Sequence, residues 1–86
     1  MFSVQYDKPA SHFLKKLAVK AEVKRIIQKV EELAENPFPK DVKRVEGYSD
    51  VKVFRVRVGD YRILYFVRYE NSTLFVVKID KRERVY

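Results

Sequence analysis

The stretch Val-Phe-Arg-Val-Arg-Val-Gly-Asp-Tyr-Arg-Ile-Leu-Tyr-Phe-Val, residues 53–67, admits few folds. Two runs of alternating side chains flank Gly59-Asp60. A two-residue loop with glycine first suits a primed turn, whose twist matches the strands it joins. The loop length fixes the register: Val58 opposes Tyr61, Arg57 opposes Arg62, and Arg55 opposes Leu64. Successive side chains point to opposite faces, so Phe54, Val56, Val58, Tyr61, Ile63, Tyr65 and Val67 are expected against a core. Arg55, Arg57 and Arg62 then crowd the other face. Like charges directly opposite on a sheet cost roughly 0.2–1 kcal/mol against a neutral pair. Folding alone gives no reason for that placement, whereas a bound anion does. The plain alternative is that these arginines are solvated, or that Asp60 or Asp80 pairs with one of them.

A chain of 86 residues has room for a single small domain, residues 1–86. Its 47% apolar residues suffice for one core. It has no cysteine, which removes disulfides and thiolate chemistry. No run of about 18 apolar residues is present, so no membrane helix or membrane partner is expected. The N-terminal stretch reads as a strand and a charged helix rather than a signal peptide, which makes the cytoplasm the expected location. The formal net charge of +7 favours polyanions as partners, nucleic acid first and an acidic protein second. The two basic residue types are segregated. Seven of the 11 lysines lie in residues 1–40, and seven of the eight arginines lie in residues 41–86. Arginine offers a planar fork that fits phosphate, while lysine acts as a point charge. Specific phosphate contacts are therefore expected in the C-terminal half.

Elsewhere the periodicity is simpler. Phe2-Ser3-Val4-Gln5-Tyr6 alternates as a short strand. Asp7, ahead of Lys8-Pro9, can cap a helix whose first turn tolerates proline. Phe13, Leu14 and Leu17 form one helical stripe. Val23, Ile26, Ile27, Val30, Leu33 and Ala34 form another, of about four turns. One long helix and a tight helix pair breaking near Val19-Lys20 both fit this pattern. Asn36-Pro37-Phe38-Pro39 ends the helical region, because each proline biases its predecessor away from the helical basin. Val42 to Glu46 reads as extended, Gly47 to Asp50 as a turn, and Thr73 to Ile79 as the last strand. A three-residue loop, Glu70-Asn71-Ser72, would set Tyr65 against Val77 and Ile63 against Ile79, with Asp80 near Arg62 and Lys78 near Leu64. That choice keeps Lys78 out of the core. It also puts Leu64, Phe66, Leu74 and Val76 on the arginine face, apolar at one end and basic at the other.

The chain has no glycine-rich phosphate loop, no metal-ligand cluster and no nucleophile–base–acid set, so no cofactor and no metal is expected. His12, the one histidine, reads as ordinary surface. What remains is an arginine and lysine constellation with a terminal tyrosine. That kit suits RNA cleavage, in which the 2′-hydroxyl attacks the adjacent phosphate. Cationic donors stabilise the charge that develops on the phosphorane, and protons must leave the 2′-oxygen and reach the 5′-oxygen.

Three stretches carry a resemblance to a known family: Val45-Glu46-Gly47-Tyr48, then Phe54-Arg55-Val56-Arg57-Val58-Gly59-Asp60-Tyr61-Arg62-Ile63-Leu64-Tyr65, and the closing Lys81-Arg82-Glu83-Arg84-Val85-Tyr86. In these, and in length and element order, the chain resembles the RelE toxins of the RelE/ParE toxin–antitoxin superfamily. The resemblance implies an α+β fold: an N-terminal strand, a helical hairpin broken at Val19-Lys20, then a mostly antiparallel sheet of three to four strands. It implies a ribosome-dependent messenger RNA endoribonuclease acting in the decoding site, held inactive by a small acidic antitoxin in a heterodimer or heterotetramer. By the same analogy Arg62, Arg82 and Tyr86 are catalytic. Arg62 and Arg82 would contact the scissile phosphate, and Tyr86 would stack on a base. Arg55 and Arg57, with Lys52, Lys78, Lys81 and Arg84, would hold RNA. The chain departs from the family where bacterial members carry lysines at the positions of Arg55 and Arg57, one of them taken as the base; here only Lys52, Lys78 and Lys81 stand near enough to replace it. A ParE-like gyrase poison and a catalytically degenerate antitoxin-binding corepressor are the other expectations.

Overall fold

A computed structural model describes residues 1–81. Its elements are β1 (Ser3–Tyr6), α1 (Lys8–Lys16), α2 (Lys20–Glu35), β2 (Lys43–Val45), β3 (Val53–Val58), β4 (Tyr61–Arg68) and β5 (Thr73–Lys81). The strands form one five-stranded sheet in the order β1-β5-β4-β3-β2. All pairings are antiparallel except β1 with β5. The fold is α+β as expected, but the N-terminal strand joins the same sheet as the others, so the strand count is higher than the sequence suggested.

The helical region is a pair, with Leu17, Ala18 and Val19 between α1 and α2. The Leu17 N–H closes α1 on the Phe13 carbonyl at 3.1 Å, while Leu17 and Val19 hold extended dihedrals. Asp7 occupies the N-cap position without a side-chain bond; its backbone N–H instead ties α1 to β5 through the Val76 carbonyl, 2.9 Å away. The apolar stripe of α2 enters the core as Ile26, Val30, Leu33 and Ala34, each 0% exposed. From the sheet come Val56, Tyr61, Ile63, Tyr65, Leu74, Val76 and Ile79. Burying aliphatic side chains of this size contributes about 1.5–3 kcal/mol each, which is what holds both helices on one face of the sheet.

The central hairpin has the register its turn dictates: Val58 pairs Tyr61, Arg57 pairs Arg62, and Arg55 pairs Leu64. Gly59 has a φ of +58°, the positive value that glycine supplies without steric cost.

The second hairpin differs from the three-residue expectation. Tyr69–Asn71 forms a 3-10 turn and Ser72 takes a left-handed conformation at φ 50°, so the strands meet at Arg68 and Thr73. Ile63 pairs Ile79, Arg62 pairs Asp80 and Leu64 pairs Lys78, as the loop argument required. Tyr65, however, pairs Val76 rather than Val77, because a bulge intervenes at Leu64/Tyr65. Val77 is the extra residue. It shifts the phase of β5, so that Leu74 and Val76 turn into the core together with Ile79. The assignment of Leu74 and Val76 to the arginine face is thereby corrected. Phe75 takes that place, stacked on Phe66 with ring centroids 5.0 Å apart and Arg68 over the Phe66 ring at 5.5 Å.

Candidate nucleic-acid interface

The face of the sheet away from the helices is built from two rungs of cross-strand neighbours. One rung runs Lys43, Arg55, Leu64, Lys78 across β2, β3, β4 and β5. The next runs Arg57, Arg62, Asp80 across β3, β4 and β5. Rungs two residues apart along a strand are about 7 Å apart, and neighbouring strands about 4.8 Å. Lys43, Arg55, Arg57, Arg62 and Lys78 thus share this small area with a single acidic rung member, Asp80.

Asp80 is fully engaged. Its Oδ1 accepts from Arg62 Nε at 3.1 Å, and its Oδ2 from Arg62 Nη2 at 3.2 Å. Lys78 Nζ lies 3.7 Å from the same Oδ2. The pair is half-buried, with side-chain exposures of 33% for Arg62 and 25% for Asp80. The simple alternative considered for the arginines therefore holds for Arg62. It does not extend to the others: Arg55 and Arg57 form no ion pair with any carboxylate among the described residues. The opposition of Arg57 and Arg62 stands in the structure, with the one internal counter-charge, Asp80, on the far side of Arg62 from Arg57.

Two shallow depressions open on this surface. One, of about 370 Å³, is lined by Arg44, Val45, Glu46, Tyr48, Arg55, Arg62, Leu64, Lys78 and Asp80. The other, of about 360 Å³, is lined by Asp41, Lys43, Arg55, Val56 and Arg57. Arg55 borders both, so the two are parts of one basic surface.

The elements around it are pinned from the core side. The Tyr65 hydroxyl donates to the Pro37 carbonyl, and Phe38 packs edge-on against Phe54 at 5.0 Å. These contacts fix the Pro-Phe-Pro loop against the sheet. The chain then enters β2, which pairs Lys43 with Arg55. Burial, and next the charge of Asp41, push the Tyr65 phenol well above its ordinary range.

The expected site residues divide into groups. Arg55, Arg57, Arg62 and Lys78 are brought together on one face. Lys52 is exposed just before β3 and lines neither depression. Lys81 pairs in register with Tyr61, a core residue, so its position lies on the helix side of the sheet rather than beside Arg62. Arg82, Arg84 and Tyr86 lie outside the described residues. Sequence reasoning missed Lys43 and Arg44 as neighbours of this surface. It gave Glu46 and Tyr48 no place at the site, although both border the same depression as Arg55 and Arg62. The turn between β2 and β3 is too long to set a register, so nothing in the sequence placed Lys43 opposite Arg55. His12 is exposed on α1, remote from this face. Among the described residues no cluster of three or more His, Asp or Glu is placed to hold a metal ion. No helix among them is long and apolar enough to cross a membrane.

Known proteins share this fold. The model of a family described as the ParE toxin of type II toxin–antitoxin systems matches residues 4–86. A curated protein of Methanocaldococcus jannaschii named "Putative toxin RelE1" is 34% identical over 99% of this chain and 94% of its own length. Among solved structures, the archaeal RelE–RelB complex of Pyrococcus horikoshii superimposes with a TM-score of 0.81 at 30% identity, covering 98% of both chains. The isolated RelE toxin of E. coli gives 0.76 at 26% identity, over 99% of this chain and 88% of the other.

Proposed function

The chain belongs to the RelE/ParE family of toxins of type II toxin–antitoxin systems, and on that footing we propose that it is an endoribonuclease that cuts messenger RNA in the ribosomal decoding site. The observation that carries this reading is the pair of charged rungs: Arg57 directly opposite Arg62, and Lys43 directly opposite Arg55. Such crowding is unfavourable for an isolated sheet and favourable once a phosphodiester lies across it. Arg62 acts on the scissile phosphate, where fixed cationic donors stabilise the dianionic phosphorane formed by 2′-hydroxyl attack. Arg55 and Arg57 hold the flanking backbone. Arg82 and Tyr86 keep the roles that the family resemblance gives them, a second phosphate contact and a base-stacking ring, and Arg84 is assigned to holding RNA. Arginine, always protonated, cannot serve as the base. Of Lys52, Lys78 and Lys81, only Lys78 borders the same depression as Arg55 and Arg62, so we assign proton transfer to Lys78.

The relatives of known structure include RelE–RelB complexes. A small acidic antitoxin is accordingly proposed as this chain's partner too, covering the basic face in a heterodimer or heterotetramer, with the ribosome and its message as the targets and the cytoplasm as the location. The matched family's own description, a ParE toxin, favours a second reading, in which the chain poisons DNA gyrase by protein contact. A third, a corepressor without nuclease activity, follows from arginines standing where other members carry lysines.

Expression in an extract with translating ribosomes separates the three. Mapping of 5′ ends on a reporter message should show cuts in the decoding site that vanish in Arg62→Ala. DNA breaks with intact message would move the chain to the gyrase class, and neither effect would leave the corepressor.

A further inference from the structure

The bulge at Val77 does more than complete the core. A regular strand that turned Leu74 and Val76 inward would also turn Lys78 and Asp80 inward. The extra residue reverses that phase and delivers Asp80 onto the basic face, directly opposite Arg62. A bulge that re-aims side chains beside a site is a built feature. What it delivers is the one acidic member of the two rungs.

The hydrogen bonds are directional. Asp80 takes the side edge of the Arg62 fork, Nε and Nη2, at 3.1 and 3.2 Å. A guanidinium carries five N–H donors. The side-on pair therefore leaves both Nη1 hydrogens and the outer Nη2 hydrogen uncommitted to Asp80. No described residue accepts from Nη1. With 33% of its side chain exposed, Arg62 keeps an open edge.

We propose that Asp80 is a positioning residue for Arg62: it grips one edge of the guanidinium so that the opposite edge is presented, rigid and correctly turned, to the phosphate of RNA. Asp80 and the phosphate then occupy the two edges of Arg62 together rather than in competition. This rests on the endonuclease reading for its functional consequence, though not for its geometry. The arrangement has an opposite effect on binding and on rate. A carboxylate close to the phosphate weakens ground-state binding a little. The same carboxylate removes the rotational freedom of Arg62, which matters most where charge develops in the transition state.

The test compares the full chain with Asp80→Asn and Asp80→Glu, their folding checked by thermal melting. Three readouts are taken: the Kd of an RNA oligonucleotide blocked by 2′-O-methyl groups, the cleavage rate at saturating toxin on ribosome-bound message, and the Arg62 Nε–H NMR signal with and without inorganic phosphate. In Asp80→Asn the blocked RNA should bind up to about threefold more tightly, while the rate falls about tenfold or more. Asp80→Glu, which keeps the charge, should regain part of the rate. Phosphate added to the unaltered chain should leave the Asp80-dependent Arg62 Nε–H signal in place. Faster cleavage by Asp80→Asn, or loss of that signal on adding phosphate, would make Asp80 a competitor for Arg62 and overturn the proposal. Unchanged binding and rate would reduce the pair to an ordinary surface contact and overturn it equally. Should the unaltered chain cleave nothing, the endonuclease reading falls, and the NMR readout still decides for or against simultaneous occupancy.

Discussion

Tyr65 is the residue on which most of the local architecture converges. It is 0% exposed, pairs Phe54 on one side and Val76 on the other, and donates its hydroxyl to Pro37. Tyr65→Phe removes the one side-chain donor to that carbonyl among the described residues. It should cost about 1 kcal/mol in denaturant unfolding, with the loss felt in hydrogen exchange of the loop before β2. The phenol also gives the fold a pH dependence. Burial raises Tyr65, and likewise Tyr6, above the ordinary phenol value of 10.0. A raised folded-state value means that the folded chain holds protons which the unfolded chain gives up near pH 10. The unfolded state then binds fewer protons, and stability falls as pH rises above about 10. Unfolding midpoints measured at pH 9 and pH 11 should show that drop, and it should be smaller in Tyr65→Phe. An equal drop in the variant would place the effect elsewhere. At Gly59, φ of +58° is the constraint, since the nearest obstacle to a Cβ is the flexible Arg25 side chain at 3.3 Å. Gly59→Ala should therefore destabilise by about 1–2 kcal/mol, read from the shift in unfolding midpoint without a change in slope.

At the scale of elements, the central hairpin was legible because a two-residue turn leaves a single register, and that register alone brought Arg55, Arg57 and Arg62 to one face. Two features were not legible, for different reasons. The bulge at Val77 could not be read because Val76 and Val77 are the same residue type in an apolar run, and either could face the core. The pairing of Lys43 with Arg55 could not be read because no short turn links β2 to β3. The helix break was equally silent in the pattern, since Ala18 and Val19 are not helix stoppers, and only the family resemblance pointed to it. The bulge makes a sharp prediction. Deleting Val77 leaves Leu74, Val76 and Ile79 inward and Lys78 and Asp80 outward in a now regular strand. That deletion should fold and keep the Ile63–Ile79 and Arg62–Asp80 pairs, visible as cross-strand NOEs. Deleting Ile79 instead moves Asp80 toward the core and should abolish cooperative unfolding, because a buried carboxylate without a partner is costly. If the Val77 deletion unfolds as well, the register described for β5 is wrong.

At the scale of the molecule, charge and architecture are arranged separately. The helices cover one face of the sheet with apolar stripes, and the other face is left to cations. Phe66, Phe75 and Leu64 stand beside them as an apolar margin. That face was expected from the net charge of +7 and the arginine-rich C-terminal half, and its internal counter-charge, Asp80, was expected as one alternative. An acidic partner bound there should raise the melting temperature by mass action, by about 2.7 kcal/mol of stability at a partner concentration 100 times its Kd. An unchanged melting temperature with the product of a neighbouring gene would show that this product is not the partner.

The central claim is that the uncompensated cations of this face bind phosphate, and its most direct measurement is the salt dependence of RNA binding. The logarithm of the binding constant for a 2′-O-methyl oligonucleotide should fall linearly with the logarithm of salt concentration. The slope should become shallower by about 0.7 for each phosphate contact removed, in Arg55→Gln, Arg57→Gln and their combination. A slope that is the same in the unaltered chain and in the double variant would contradict the account, because it would mean that these guanidinium groups touch no phosphate.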